Sequence, residues 1–234
     1  MTGIEEILMD QGPDIVVVQG DTNTVMAGAL VASKLGIKVA HIEAGLRSYD
    51  REMPEEINRI VTDHISDFLF PPTAKQANIL KLEGIQKGVY TTGNTIVDAA
   101  FLARDRALVE SKILESLGFE DQKYLLLTCH RPSNTDLEDN FNAILESANQ
   151  FCVENNMRCI FPVHPRLKSK LEFINSFTEI VPIDPVGYLD MIKLITGSGF
   201  IFTDSGGIQE EACILQKKSL ILRKNTERPE TVEV

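Results

Sequence analysis

The chain has 234 residues, 43% of them hydrophobic, and a formal net charge of −11 at pH 7. That length allows one or two domains, and the composition supports a sizeable buried core. The acidic balance argues against general binding to nucleic acid or an anionic membrane, while an anionic small ligand can still be held by local arginines and helix ends. Cys129, Cys152, Cys159 and Cys213 form no C-x-x-C pair and match no zinc spacing; they read as buried free thiols in a reducing compartment. The opening M-T-G-I-E-E-I-L-M-D carries acids where a signal peptide needs bases. No apolar run approaches the roughly 20 residues of a membrane helix. The expectation is a soluble cytoplasmic protein with neither nucleic acid nor membrane as partner.

The chain opens on a helix that feeds a short β-branched strand, Ile15 to Val18, after Gly12-Pro13. Thr22 to Leu35 reads as a helix ended by Gly36, and Lys38 to Ile42 as a strand. Pro54, at a first helical position, opens a helix to about Ser66. Asp67 to Phe70 is a strand, Ala74 to Glu83 a helix stopped by Gly84, and Val89 to Thr91 a further strand. Thr95 to Leu117 is helical in composition and connects to a second alternation. There Tyr124 to Thr128, Cys159 to Val163, Glu179 to Pro182, Phe200 to Thr203 and Ser219 to Leu222 are strands, and Asn140 to Asn149 lies in a helix. Alternating strands and helices predict an α/β fold with parallel, doubly wound sheets. The expected division is residues 1–98 and 99–234. Both ends are abrupt, which predicts a piece of a larger two-domain protein.

The most informative stretch is F-I-F-T-D-S-G-G-I-Q-E-E-A, Phe200 to Ala212. A buried strand runs straight into Ser205, Gly206 and Gly207 and then into helical composition. Unpaired N–H groups and the positive dipole end at such a helix start suit a phosphate or diphosphate, and glycines let it approach. The same residues would serve equally as a tight turn that binds nothing, with Asp204 or Ser205 as N-cap.

Ligands gather at the carboxyl ends of parallel strands. Asp21, Glu43, His130, Arg131, His164, Asp204 and Ser205 all follow strands. Any one of them serves as well as a local cap. Together they put acids in the first half and basic or phosphate-binding groups in the second, a split that suits a cleft. Carboxylates in a crowded site can serve as acid or base. Glu55 and Glu56 also fit as simple partners of the helix dipole, and His64 as a boundary residue. The basic run Arg223, Lys224, Arg228 reads as a charged loop in which Arg228 either reaches substrate or pairs internally. G-x-G-x-x-G, P-loop, H-E-x-x-H and G-x-S-x-G motifs are absent, so nicotinamide, P-loop, zinc-protease and serine-hydrolase readings lose support.

V-V-V-Q-G-D-T, H-I-E-A-G-L-R-S, M-P-E-E-I-N-R, T-G-N-T-I-V-D-A, T-C-H-R-P-S-N, F-P-V-H-P-R, T-D-S-G-G-I-Q-E-E-A and N-T-E-R-P-E-T run in order along the chain. This set resembles the non-hydrolysing UDP-N-acetylglucosamine 2-epimerases. The resemblance implies two Rossmann-like domains facing a cleft, a GT-B-like arrangement, each incomplete here. It implies reversible conversion of UDP-N-acetylglucosamine to UDP-N-acetylmannosamine by loss and re-addition of UDP, with no cofactor and no metal. By motif, Asp21, Glu43 and Glu55 match the acid–base carboxylates, and His130 the histidine near the diphosphate. Ser205, Gly206 and Gly207 match the phosphate cradle, Glu211 the ribose contact and Arg228 an arginine at the UDP site. Relatives of this kind commonly form dimers, so a homodimer is an option alongside the UDP-sugar partner. The chain departs from the pattern in lacking the opening loop with its arginine and the closing segment, and in having Ser133 and Met191 where an acid and an aromatic are usual. The alternatives are a GT-B-type glycosyltransferase and an inactive UDP-binding fragment.

Overall fold

A computed structural model describes residues 1–119, 123–223 and 231. Contacts divide the chain into two compact units, Met1–Thr95 and Ile96–Val234.

In the first unit, α1 (Thr2–Gln11) ends at Gly12, whose left-handed φ of 52° lets the chain reverse into β1 (Ile15–Gln19). Thr22 caps α2 (Asn23–Lys34) by accepting the Val25 N–H at 3.4 Å. β2 (Lys38–Ile42), α3 (Pro54–Ile65), β3 (Phe68–Phe70) and α4 (Ala74–Leu82) follow. The sheet is parallel, in the order β1-β2-β3, with Gln19 opposite Ile42. The carboxyl ends of β1 and β2 therefore lie side by side. Val18, Ala29, Ala32 and Val39 form the core between this sheet and α2.

The expected strand Val89 to Thr91 is not formed. Val89 makes a single parallel bridge to Leu69. Pro71 and Pro72 directly follow β3 and have no N–H to donate to this segment, so beyond the Tyr90 N–H on Leu69 O only the Thr92 N–H reaches back, to the Pro71 carbonyl at 3.4 Å.

In the second unit the expected helical stretch is two helices, α5 (Thr95–Glu110), which begins at the join, and α6 (Ile113–Leu117). β4 (Tyr124–Thr128), the short α7 (Pro132–Thr135), the long α8 (Glu138–Asn155) and β5 (Arg158–Pro162) come next. A 3₁₀ turn (Pro165–Lys170) leads to α9 (Leu171–Ile174), β6 (Ile180–Ile183) and α10 (Tyr188–Gly197). β7 (Phe200–Thr203), α11 (Gly206–Ile214) and β8 (Ser219–Ile221) complete it.

All pairs in this sheet are parallel, in the order β6-β5-β4-β7-β8. Every residue of β4 is buried, as a central strand covered on both faces requires. Leu125 and Leu127 pack on one face with Phe141, Leu145 and Phe161. Tyr124 and Leu126 pack on the other with Ile192, Ile195 and Ala212. Each buried leucine contributes about 2 kcal/mol. The strand order reverses between β4 and β7, which opens a crevice beyond their carboxyl ends. Among the described residues no helix is long and apolar enough to cross a membrane.

Candidate functional site

In the second unit, a cleft of about 270 Å³ opens where the strand order reverses. Thr128, Cys129 and His130 line it from the end of β4, and Val163 and His164 from the end of β5. Pro185, Val186 and Met191 close another side, and Ser205 and Ile208 bring in the start of α11. This is the helix start singled out in the sequence. Ser205 is its N-cap, accepting the Ile208 N–H at 3.4 Å. Gly207 has no positive φ, and a Cβ there would meet only Ser205 Oγ at 3.9 Å. The fold itself therefore tolerates a side chain at this position. What glycine adds is an unobstructed approach to backbone N–H groups.

Asp204 is not the cap. It is fully buried and binds the β4–α7 connection. Its carboxylate accepts the Arg131 N–H at 2.9 Å, the His130 N–H at 3.0 and 3.1 Å, and the Asn134 amide at 3.1 Å. His130 Nδ1 stands 2.8 Å from Asp204 Oδ1. Burial would raise the Asp204 pKa; the His130 ring and the Arg131 and His130 N–H groups outweigh it and hold it at about 2. Burial, and after it the same carboxylate, push the Cys129 thiol up, so that thiol stays protonated. His130 is thus aimed by a fixed anion while its ring stays partly exposed, 6.1 Å from the His164 ring.

One helical turn on, Glu211 is buried and its pKa is raised, first by burial, against a hydrogen bond from Tyr188. Partial burial and the Glu211 carboxylate push the Tyr188 phenol up to about 12, so the phenol keeps its proton to donate. Arg228 lies outside the described residues.

In the first unit, Asp21 lies just beyond β1 and Glu43 just beyond β2, on the adjoining strand ends. Glu55 sits in the first turn of α3 and is exposed. Glu43 has a φ of 69°, unusual for a residue with a side chain, and accepts from Gln19 Nε2 at 3.1 Å. Strain of this kind persists where surrounding structure enforces it, and it gathers at working sites. Asp21 does not cap α2. Its Oδ2 pairs with Arg59 Nη1 at 2.5 Å. Arg59, 2% exposed, also holds Glu56 at 2.7 Å, and Glu56 accepts the N–H groups of Ser48 and Tyr49 at 2.9 and 3.0 Å.

Arg59, Asn58, His41 and Asp63 were not apparent as site residues. α3 buries only polar side chains: Glu56, Asn58, Arg59, Thr62 and Asp63. By pattern, that stripe reads as a solvated face. Its spacing was the available signal, because these positions share one side of a 3.6-residue helix.

The family model described as UDP-N-acetylglucosamine 2-epimerase matches residues 1–234. The chain belongs to that family. It is 50% identical over 240 residues to the UDP-N-acetylglucosamine 2-epimerase of Methanococcus maripaludis, covering 99% of this chain and 66% of that relative. The crystal structure of Methanocaldococcus jannaschii UDP-GlcNAc 2-epimerase in complex with UDP-GlcNAc and UDP superposes with a TM-score of 0.88 at 49% identity, covering 100% of this chain and 66% of that one. The epimerase from Neisseria meningitidis bound to UDP-GlcNAc gives 0.91 at 34% identity, covering 99% and 65%. The chain thus spans just under two thirds of the length of these relatives. The expected architecture of paired Rossmann-like units is that of a 2-epimerase.

Proposed function

We propose that this 2-epimerase chain carries the machinery for reversible epimerisation at C2 of UDP-N-acetylglucosamine, giving UDP-N-acetylmannosamine. The observation that carries the reading is the open start of α11 on the cleft between β4 and β7, where Gly207 has no packing duty and His130 is aimed by Asp204. A diphosphate fits this combination of free N–H groups, dipole and imidazole. Glu211 and Tyr188 offer an acceptor and a donor suited to ribose hydroxyls.

The chemistry follows from what each group can do. One carboxylate among Asp21, Glu43 and Glu55 takes the C2 proton. The C–H electron pair forms the C1–C2 double bond, and the C1–O bond breaks with its pair leaving on UDP. Charge developing on the diphosphate falls at the α11 start and His130. In the return step the diphosphate oxygen attacks C1, and a second carboxylic acid delivers a proton to the other face of C2. One proton leaves and one returns, so the oxidation level is unchanged. The buried free thiols fit the reducing cytoplasm in which nucleotide sugars are made.

Incubation of the full chain with UDP-N-acetylglucosamine in D₂O tests this. Deuterium at C2 and formation of the manno epimer are expected. Absence of both refutes the reading. Acceptor-dependent release of UDP without C2 exchange would identify a glycosyltransferase, and protection from heat by UDP without turnover a nucleotide-binding fragment.

A further inference from the structure

Three side chains of α3 close on two consecutive residues beyond β1. Asn58 Nδ2 donates to the Asp21 carbonyl at 2.8 Å and to Asn23 Oδ1 at 3.0 Å. Arg59 Nη1 takes Asp21 Oδ2 at 2.5 Å. The third grip passes through β2. Asp63 Oδ1 lies 2.7 Å from His41 Nδ1, and His41 Nε2 lies 2.9 Å from the Gly20 carbonyl oxygen. A carbonyl and a carboxylate oxygen both only accept, so each contact is a hydrogen bond in which the ring nitrogen donates, and Asp63 at one nitrogen fixes the ring's orientation toward Gly20 at the other.

Asp63 is itself immobile. Its second oxygen accepts the Gly45 N–H at 3.1 Å and pairs with Arg47 Nη1 at 2.8 Å. His41 is fully buried and Asp63 is 1% exposed. Gly20 has a φ of 80°, and its N–H already reaches Ile42 O at 3.2 Å. Its peptide is thus pinned from both ends.

We propose that the buried His41–Asp63 pair is a positioning device that sets the Gly20 turn and thereby the place of Asp21. A polar pair is a costly way to fill a core, since replacing a buried ion pair with apolar groups is often neutral or stabilising. What the pair supplies and an apolar pair does not is direction, one N–H aimed at one carbonyl. Asn58 and Arg59, on the same face of α3, then fix the next carbonyl and its carboxylate. Glu55 opens that helix, and Glu43 lies two residues after His41 on β2's end. One buried network therefore registers Asp21, Glu43 and Glu55 against one another. Neither His41 nor Asp63 touches substrate in this account. The inference rests on the reading of Asp21 as a reacting carboxylate.

The test uses the full chain with His41→Leu and His41→Gln. In H41L, kcat should fall about 10- to 100-fold, the scale expected when a reacting group is misplaced by an ångström. KM should stay within about 2-fold, because the substrate's nucleotide is held by other residues. Amide hydrogen exchange of residues 20–23 should speed up about 10-fold while β4 amides keep wild-type protection. H41Q retains an N–H donor for Gly20 and should recover most of kcat and of the local protection. Wild-type kcat and wild-type exchange at 20–23 in H41L would overturn the proposal. So would losses in H41Q equal to those in H41L. If the wild-type chain itself gives no C2 exchange, the epimerase reading fails, and exchange at 20–23 alone still decides the positioning role.

Discussion

Substitution of Asp204 by Asn should destabilise the second unit by about 2 kcal/mol at neutral pH. Its carboxylate is fully buried and held at about 2 against an ordinary 3.8. At about 1.4 kcal/mol per pH unit, that depression contributes about 2 kcal/mol at neutral pH. Asn removes it but can keep the hydrogen bonds: with its oxygen at the Oδ2 position it still accepts the Arg131 and His130 N–H groups and the Asn134 amide, and its NH₂ faces His130 Nδ1. Because the folded-state pKa lies below the unfolded one, the carboxylate's contribution is complete above about pH 4 and is lost as pH falls through about 2, with about half remaining near pH 3. Urea unfolding of wild type and D204N, followed by hydrogen exchange of the Leu125–Thr128 amides from pH 7 to pH 3, measures this. Comparing the two proteins at each pH cancels the titration of every other acid. A loss under about 0.5 kcal/mol at pH 7 would refute the account of Asp204 as an anchored anion. So would a difference that does not shrink by pH 3.

Gly88→Ala should cost about 2–3 kcal/mol in the first unit, because Gly88 has a φ of 71° and a Cβ there would press into the Asp67 carbonyl oxygen. Exchange of the β1–β3 amides should quicken while β4 is unaffected. Glu55→Gln should lower kcat at least about 100-fold with stability changed by less than about 0.5 kcal/mol. Glu56→Gln should cost about 3 kcal/mol, since the buried Arg59 loses its partner and the Ser48 and Tyr49 N–H groups lose a charge. Thermal melts beside C2 exchange rates separate these two neighbours.

The strands were legible where chemistry is local. Lys38–Ile42, Tyr124–Thr128 and Phe200–Thr203 are short apolar runs, and the structure gives them the expected bounds. The failures arise where partners lie far off in sequence. α10 begins at Tyr188 behind an N-cap, Gly187, that offers no side-chain cap, so nothing local announces it. α3 turns its polar face inward, which no hydrophobic pattern can predict, because the partners that satisfy Arg59 and Asp63 come from β1, β2 and the loops after them. Asp204 reads as a helix cap until Arg131 and His130, more than 70 residues earlier, are seen to claim it. The Ser205 turn was legible as an anion site or as a plain cap. Ser205 and Ile208 line the cleft at its mouth, which is the ground on which the anion site is proposed.

Two groups of acids in this chain differ in burial. Glu56, Asp63 and Asp204 are at most 1% exposed, and each is covered by several donors. Several donors on each of these carboxylates fix its place, which suits it to holding other groups still. Asp21 keeps 31% of its side chain exposed, with Arg59 on one oxygen and, among the described residues, no donor on the other. Glu43 is half-buried and Glu55 exposed. An acid–base group must stay oriented on one side and reachable on the other, and Asp21 has that form. The buried acids are the reason it can. Glu56 neutralises and aims Arg59, which aims Asp21, while Asp63 aims His41, which sets the turn that carries it. On the proposed acid–base role of Asp21, the orientation of its carboxylate depends on this buried network beneath it.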